Sequence, residues 1–128
     1  MFDPKVEHLL KEIIDTPTKL QLLLLFCENP NIEGTARQLA ERTFRDIWSA
    51  SEALRELTED GIVVAFDGFG ELLYRYQPIP ELVHPIQQLR QYYNEPIERD
   101  YVQQLVREAA SYAPYRRASH GNVMFERL

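Results

Sequence analysis

Residues 35–77 hold the pattern that most restricts this chain: two runs of helical periodicity with a very short break between them, followed at once by two strand-like runs. In the second helical run Ile47, Ala50, Leu54 and Leu57 recur at spacings of three and four, which gathers them on one face. Asp46 stands where its carboxylate can accept the free amides of a first turn, and Gly61 where a helix can end in the left-handed conformation. The spacing predicts a helix over about 46–60. The run before it, about 35–43, sets Leu39 among Ala36 and Ala40, small enough for two helices to cross closely. After Gly61 the chain switches to Ile62, Val63, Val64, Ala65 and Phe66, passes Asp67-Gly68 and Phe69-Gly70, and continues as Leu72, Leu73, Tyr74, Arg75 and Tyr76. Two β-rich runs around an Asp-Gly pair predict a hairpin.

Helix, tight turn, longer helix and hairpin, in that order, make a helix-turn-helix with a wing. The run Leu39-Ala40-Glu41-Arg42, followed by Ala53-Leu54, Leu57 and Gly61-Ile62-Val63, resembles the winged helix-turn-helix of small prokaryotic regulators of the MarR, ArsR and PadR kind. Asp15-Thr16-Pro17-Thr18-Lys19-Leu20 with Leu23-Leu24 is similar to the opening helix of the ArsR-like branch. The resemblance covers about residues 15–77 and rests on apolar spacing, which specifies a fold better than a function. It implies a mainly α fold with a small β hairpin, a winged helix-turn-helix carrying extra N- and C-terminal helices. It also implies a DNA-binding transcriptional regulator working as a dimer.

Two departures from the family pattern matter. Phe44 stands where a turn glycine is usual, and Arg45 where a small buried aliphatic is common. The expectation is a rebuilt turn with Phe44 tucked into the core. The second departure is electrostatic: residues 35–60 hold four basic side chains (Arg37, Arg42, Arg45, Arg55) against six acidic ones (Glu41, Asp46, Glu52, Glu56, Glu59, Asp60). Cations on phosphate supply most of the affinity for duplex DNA, so this balance opposes strong binding.

The expected DNA-binding residues follow from the face of the second helix turned away from its apolar stripe. Trp48, Ser51, Glu52, Arg55 and Glu59 lie there. The resemblance puts this face in the major groove. Arg55 can reach a phosphate or a guanine edge, and Ser49 and Ser51 can donate to phosphate. Thr35 and Arg37, at the start of the preceding helix, are expected on phosphate; Arg45 and the wing's single basic residue, Arg75, complete the set. The alternative for each arginine is a solvated surface charge. The alternative function is a winged helix turned to protein binding, with the outward Trp48 as its contact; Trp48 folded against the wing or a C-terminal helix is the third reading.

The chain has 128 residues and a net charge of −6, from 14 basic and 20 acidic side chains, which suits no general attraction to nucleic acid or anionic membrane. Gathering the basic residues on one face would still permit DNA binding. The opening residues show no basic stretch leading into an apolar one, and the apolar run from Leu22 to Cys27 is too short for a bilayer. With a single cysteine there is no intrachain disulfide, and a cytoplasmic location is expected. His8, His84, His120 and Cys27 have no metal-site spacing, no phosphate-cradling glycine loop or nucleophile elbow is visible, and neither an enzyme nor a cofactor is expected.

Outside the motif, Asp3-Pro4 opens a helix with Val6, Leu9, Leu10 and Ile13 in a stripe and Ile14 beside it. Its own segment offers nothing to cover that stripe, so residues 1–14 are expected to be a dimerisation helix. Thr16-Pro17 starts a helix apolar almost all round, the expected centre of the winged domain at 15–78. Cys27 within it reads as a small buried hydrophobe, and Ile32 as a source of a short third strand. Residues 79–113 hold two further helices, one from about 80 or 85 to 93 and one over about 96–112, the latter with Ile97, Tyr101, Leu105, Ala109 and Tyr112 as its stripe. They either cover the core or make the dimer; Tyr92, Tyr93, Tyr101 and Tyr112 read as core or interface, with a small-molecule pocket as the other option. The locally basic residues 114–128 are expected as a tail, frayed or docked.

Overall fold

The computed structural model describes the backbone of residues 2–126 and the side chains of residues 2–112. Asp3 caps α1 (Pro4–His8) by accepting from the Lys5 amide at 2.8 Å, and the helix widens into a π turn over Leu9–Ile13. The Ile14 amide donates to the Leu9 carbonyl at 2.7 Å, five residues back. Thr16 caps α2 (Pro17–Glu28), with Pro17 in the first helical position where its missing N–H costs nothing. Then come β1 (Glu33–Gly34), α3 (Ala36–Thr43), α4 (Ile47–Glu59), β2 (Val63–Gly68), β3 (Glu71–Tyr76), α5 (Pro80–Tyr93) and α6 (Pro96–Glu126). The three strands form one antiparallel sheet in the order β1-β3-β2, with Glu33 opposite Arg75 and Val63 opposite Tyr76. The short strand begins one residue after Ile32.

The mainly α fold with a β hairpin is present, with α3, α4 and the β2–β3 wing following one another along the chain. α2 occupies the middle: Leu20, Leu22, Leu23 and Phe26 are buried, and Phe26 stacks on Tyr76 of the wing with ring centroids 5.7 Å apart. α4 ends as its sequence predicts. Gly61, at φ 84°, lets the Ile62 amide reach the Leu57 carbonyl at 2.9 Å and its own amide reach that of Thr58 at 3.3 Å, a Schellman closure.

Several expectations change. The stripe of residues 1–14 is covered by the chain itself: Val6, Leu9, Leu10 and Ile14 are fully buried, packed with α5 and α6, and Phe2 stacks on Tyr92 and meets Tyr101. Its apolar residues thus need no second subunit, because α5 and α6, distant in sequence, supply the missing surface. Tyr92, Tyr93 and Tyr101 pack against this core. On α6, Val102, Leu105, Val106 and Ala109 face inward while Ile97 and Tyr112 stand exposed, so the buried stripe is shorter than expected. The backbone of 114–126, expected as a tail, continues α6; residues 127 and 128, and the basic side chains of that segment, lie outside the described residues. The hairpin turns at Phe69-Gly70 (φ 55° and 84°) and not at Asp67-Gly68, because Gly68 pairs with Glu71. Two positive φ values match the type I′ turn whose twist suits a two-residue hairpin.

One polar cluster sits inside. Lys19 of α2 is 1% exposed; its ammonium donates to Asp15 at 2.6 Å and is ion-paired with Glu56 of α4, both carboxylates also buried. Removing one member of a buried ion pair leaves an uncompensated charge, so Lys19→Ala should lower unfolding free energy by about 3–5 kcal/mol in denaturant titration. Deleting residues 2–14 should give protein without a cooperative melt, since α5 and α6 lose the surface they cover.

Candidate recognition surface

The α3–α4 turn is built on an unusual choice of residue. The Phe44 amide donates to the Glu41 carbonyl at 3.3 Å and the Arg45 amide to the Ala40 carbonyl at 2.9 Å, the same closure that ends α4. The left-handed position that Gly61 occupies there is filled here by Phe44, at φ 56°. The turn therefore keeps the glycine geometry and is not rebuilt. Nor is Phe44 tucked into the core: it is 95% exposed, because a side chain at this position of the closure projects outward. A bulky residue in this region costs roughly 1–2 kcal/mol, and exposure returns no burial against it. The only other non-glycine with positive φ among the described residues is Phe69, fully exposed at the wing tip.

α4 starts from Asp46, whose carboxylate accepts from the Ser49 amide at 2.9 Å, a bond that holds its carboxyl below the usual range. The helix buries Ala50, Ala53, Leu54 and Leu57 and turns Trp48, Glu52, Arg55 and Glu59 outward. Trp48 is 82% exposed. Arg55 is not a free cation: it is ion-paired with Glu52, donates to Glu59 at 2.7 Å, and lies 3.5 Å from Glu56. The Arg55 hydrogen bond holds the Glu52 carboxyl below the ordinary range, and Glu52 in turn raises the guanidinium.

The remaining expected residues divide. Thr35 caps α3 in a reciprocal pair with Gln38, accepting from the Gln38 amide at 3.2 Å while its own amide donates to Gln38 Oε1 at 2.9 Å. Arg37 is exposed one residue into α3, as is Arg42 near its end, and neither forms an ion pair among the described residues. Ser49 is exposed and Ser51 half-buried. Two of the set are not gathered with the others. Arg45 lines a cleft beside α2 and α6, and Arg75 lies in the sheet, 3.5 Å from Glu33 and over the Phe66 ring at 4.9 Å. Sequence reasoning missed the exposure of Phe44 and Phe69; phenylalanine in a glycine position, and Phe-Gly two residues past Asp-Gly, were the available signals.

Among the described residues no three His, Cys, Asp or Glu side chains are placed to hold a metal ion, and no helix is long and apolar enough to cross a membrane. Comparison of the sequence finds no matching protein-family model and no matching curated protein. Among solved structures, a possible transcriptional regulator from Methanosarcina mazei Go1 matches with a TM-score of 0.50 and 16% identity, over 77% of this chain and 87% of that one. At that identity the likeness is one of fold alone.

Phe44→Gly should raise unfolding free energy by about 1 kcal/mol, because glycine adopts the turn without steric cost; chemical denaturation checks it. Burial raises the Cys27 thiol above its ordinary pKa, against the lowering hydrogen bond from Tyr76. Its thiolate fraction at pH 8 is therefore smaller than that of a free thiol, and iodoacetamide should alkylate it more slowly than glutathione in the native protein.

Proposed function

We propose that this chain is a transcriptional regulator that engages duplex DNA through its winged helix-turn-helix, in the manner of MarR, ArsR and PadR proteins and as a dimer. The observation that carries the reading is α4 itself: a 13-residue helix whose outer face, at Trp48, Glu52, Arg55 and Glu59, stands exposed among the described residues. The neighbour from Methanosarcina mazei, described as a possible transcriptional regulator, supports it. In this arrangement Trp48, Ser49 and Ser51 enter the groove near the amino end of α4, while Thr35, Arg37 and Arg42 meet phosphate from α3. Arg55 contributes only by exchanging Glu52 and Glu59 for a phosphate. For a second copy, Ile97 and Tyr112 are the exposed large apolar positions of α6 among the described residues.

A second reading draws on a specific observation. The outward face of α4 presents an exposed tryptophan and a cation already neutralised by carboxylates, next to the exposed Phe44. That composition suits a protein partner better than a phosphate backbone, since tryptophan is enriched at binding hot spots.

Binding of labelled genomic fragments, followed by anisotropy at roughly 50 mM salt, separates the two. DNA recognition predicts measurable affinity, a salt slope lower by about one in Arg37→Ala, and tighter binding in the Glu52→Gln, Glu59→Gln double variant, which frees Arg55. Trp48→Ala should abolish binding with an unchanged melting temperature. No binding to any fragment under these conditions moves the assignment to the protein-binding reading. Sedimentation at micromolar concentration tests the dimer; a monomer removes it.

A further inference from the structure

A cleft of about 300 Å³ opens between the start of α2, the α3–α4 turn and α6. The buried Leu20 and Val106 form its apolar floor, and its exposed or half-buried lining consists of Pro17, two arginines, Arg45 and Arg107, and two amides, Gln21 and Gln103. The chemistry of this lining differs from that of three other clefts among the described residues. On a chain with 20 acidic against 14 basic side chains, no carboxylate lines it. Each of three other surface clefts has at least one: Glu33 and Glu41 in the first, Glu28 in the second, Glu12 and Glu108 in the third. Neither Arg45 nor Arg107 forms an ion pair among the described residues, so both guanidiniums keep their donors available. Gln103 is already oriented, donating to the Tyr93 hydroxyl at 3.0 Å, which leaves its carbonyl oxygen to accept. Pro17, the first helical residue of α2, adds the positive end of that helix dipole.

We propose that this cleft binds a small organic monocarboxylate, its carboxylate held between Arg45 and Arg107 and its short aliphatic or aromatic body laid on Leu20 and Val106. Guanidinium matches carboxylate geometry and forms the stronger, charge-assisted hydrogen bonds. The apolar floor selects against a bare inorganic anion, which would leave it wet, and the volume is at the lower end for small-molecule sites. Arg45 is the residue between Phe44 and the Asp46 cap of α4, so a ligand bridging it to Arg107 ties α6 to the recognition turn. The site stands whether α4 meets DNA or protein.

The test needs neither partner. Thermal melting and titration calorimetry of the full chain are run with hexanoate and phenylacetate, with hexanamide and phenylacetamide as neutral twins, and with inorganic phosphate. The carboxylates should raise the melting temperature by a few degrees at saturation, while the amides and phosphate leave it unchanged. Arg45→Gln and Arg107→Gln should each weaken carboxylate binding by at least about tenfold, and Arg90→Gln, which lines a different cleft, should not. Because Arg107 is exposed, its variant keeps the test valid should the Arg45 variant fold poorly. No rise with either carboxylate, an equal rise with amide or phosphate, or full affinity in Arg107→Gln would overturn the proposal.

Discussion

Lys19 sets the geometry on which the placement of α4, and with it the candidate recognition surface, depends. A buried ammonium must keep its anionic partners or destabilise the fold, and its partners come from two places: Asp15, ahead of α2, and Glu56, on α4. α4 is therefore tied to α2 by direction and register as well as by apolar contact, which alone would tolerate sliding. Glu56 is followed around the helix by Arg55, and Arg55 by Glu52 and Glu59. One chain of charges thus runs from the middle of the domain to the outer face of α4. The carboxylates that neutralise Arg55 outside are continuous with those that hold Lys19 inside.

The same economy of backbone geometry appears at both helix ends that frame the motif. α3 and α4 finish with the same pair of hydrogen bonds, yet one uses glycine and the other phenylalanine. Packing cannot account for the difference, because Phe44 touches little of the chain. Stability alone would favour glycine at both. Backbone strain of this kind tends to cluster at functional sites, and Phe44 at the turn and Phe69 at the wing tip are both strained and exposed.

Much of the fold was legible because it depends on local rules: the α4 stripe, the Asp46 cap, the Gly61 stop and the two strand runs are all set within a few residues. What was not legible depends on distance along the chain. The stripe at Val6, Leu9 and Leu10 looked partnerless because its cover lies some hundred residues on. Lys19 reads as an ordinary surface lysine until α4 brings Glu56 to it. The hairpin was misplaced by two residues because Asp67-Gly68 is the stronger turn signal in isolation. The strands instead pair through Gly68 and Glu71, leaving Phe69-Gly70 with the two positive φ values that close the turn. For the surface, exposure of Trp48 followed from helical angle, but Arg55's partners required i+4 neighbours to be weighed as ligands of the arginine rather than as background charge.

The seating of Phe2 between Tyr92 and Tyr101 carries a consequence for how the molecule is made. Translation delivers residues 2–14 before the helices α5 and α6 that receive them. Until those helices emerge, the greasy edge of the first helix has no native place to go, while α2, α3, α4 and the hairpin already have contacts with one another to form. The order of emergence divides folding into an early centre and a late closure, and any holdup between the two exposes Phe2, Val6, Leu9 and Leu10 together, a ready site for chaperone capture or for the wrong neighbour.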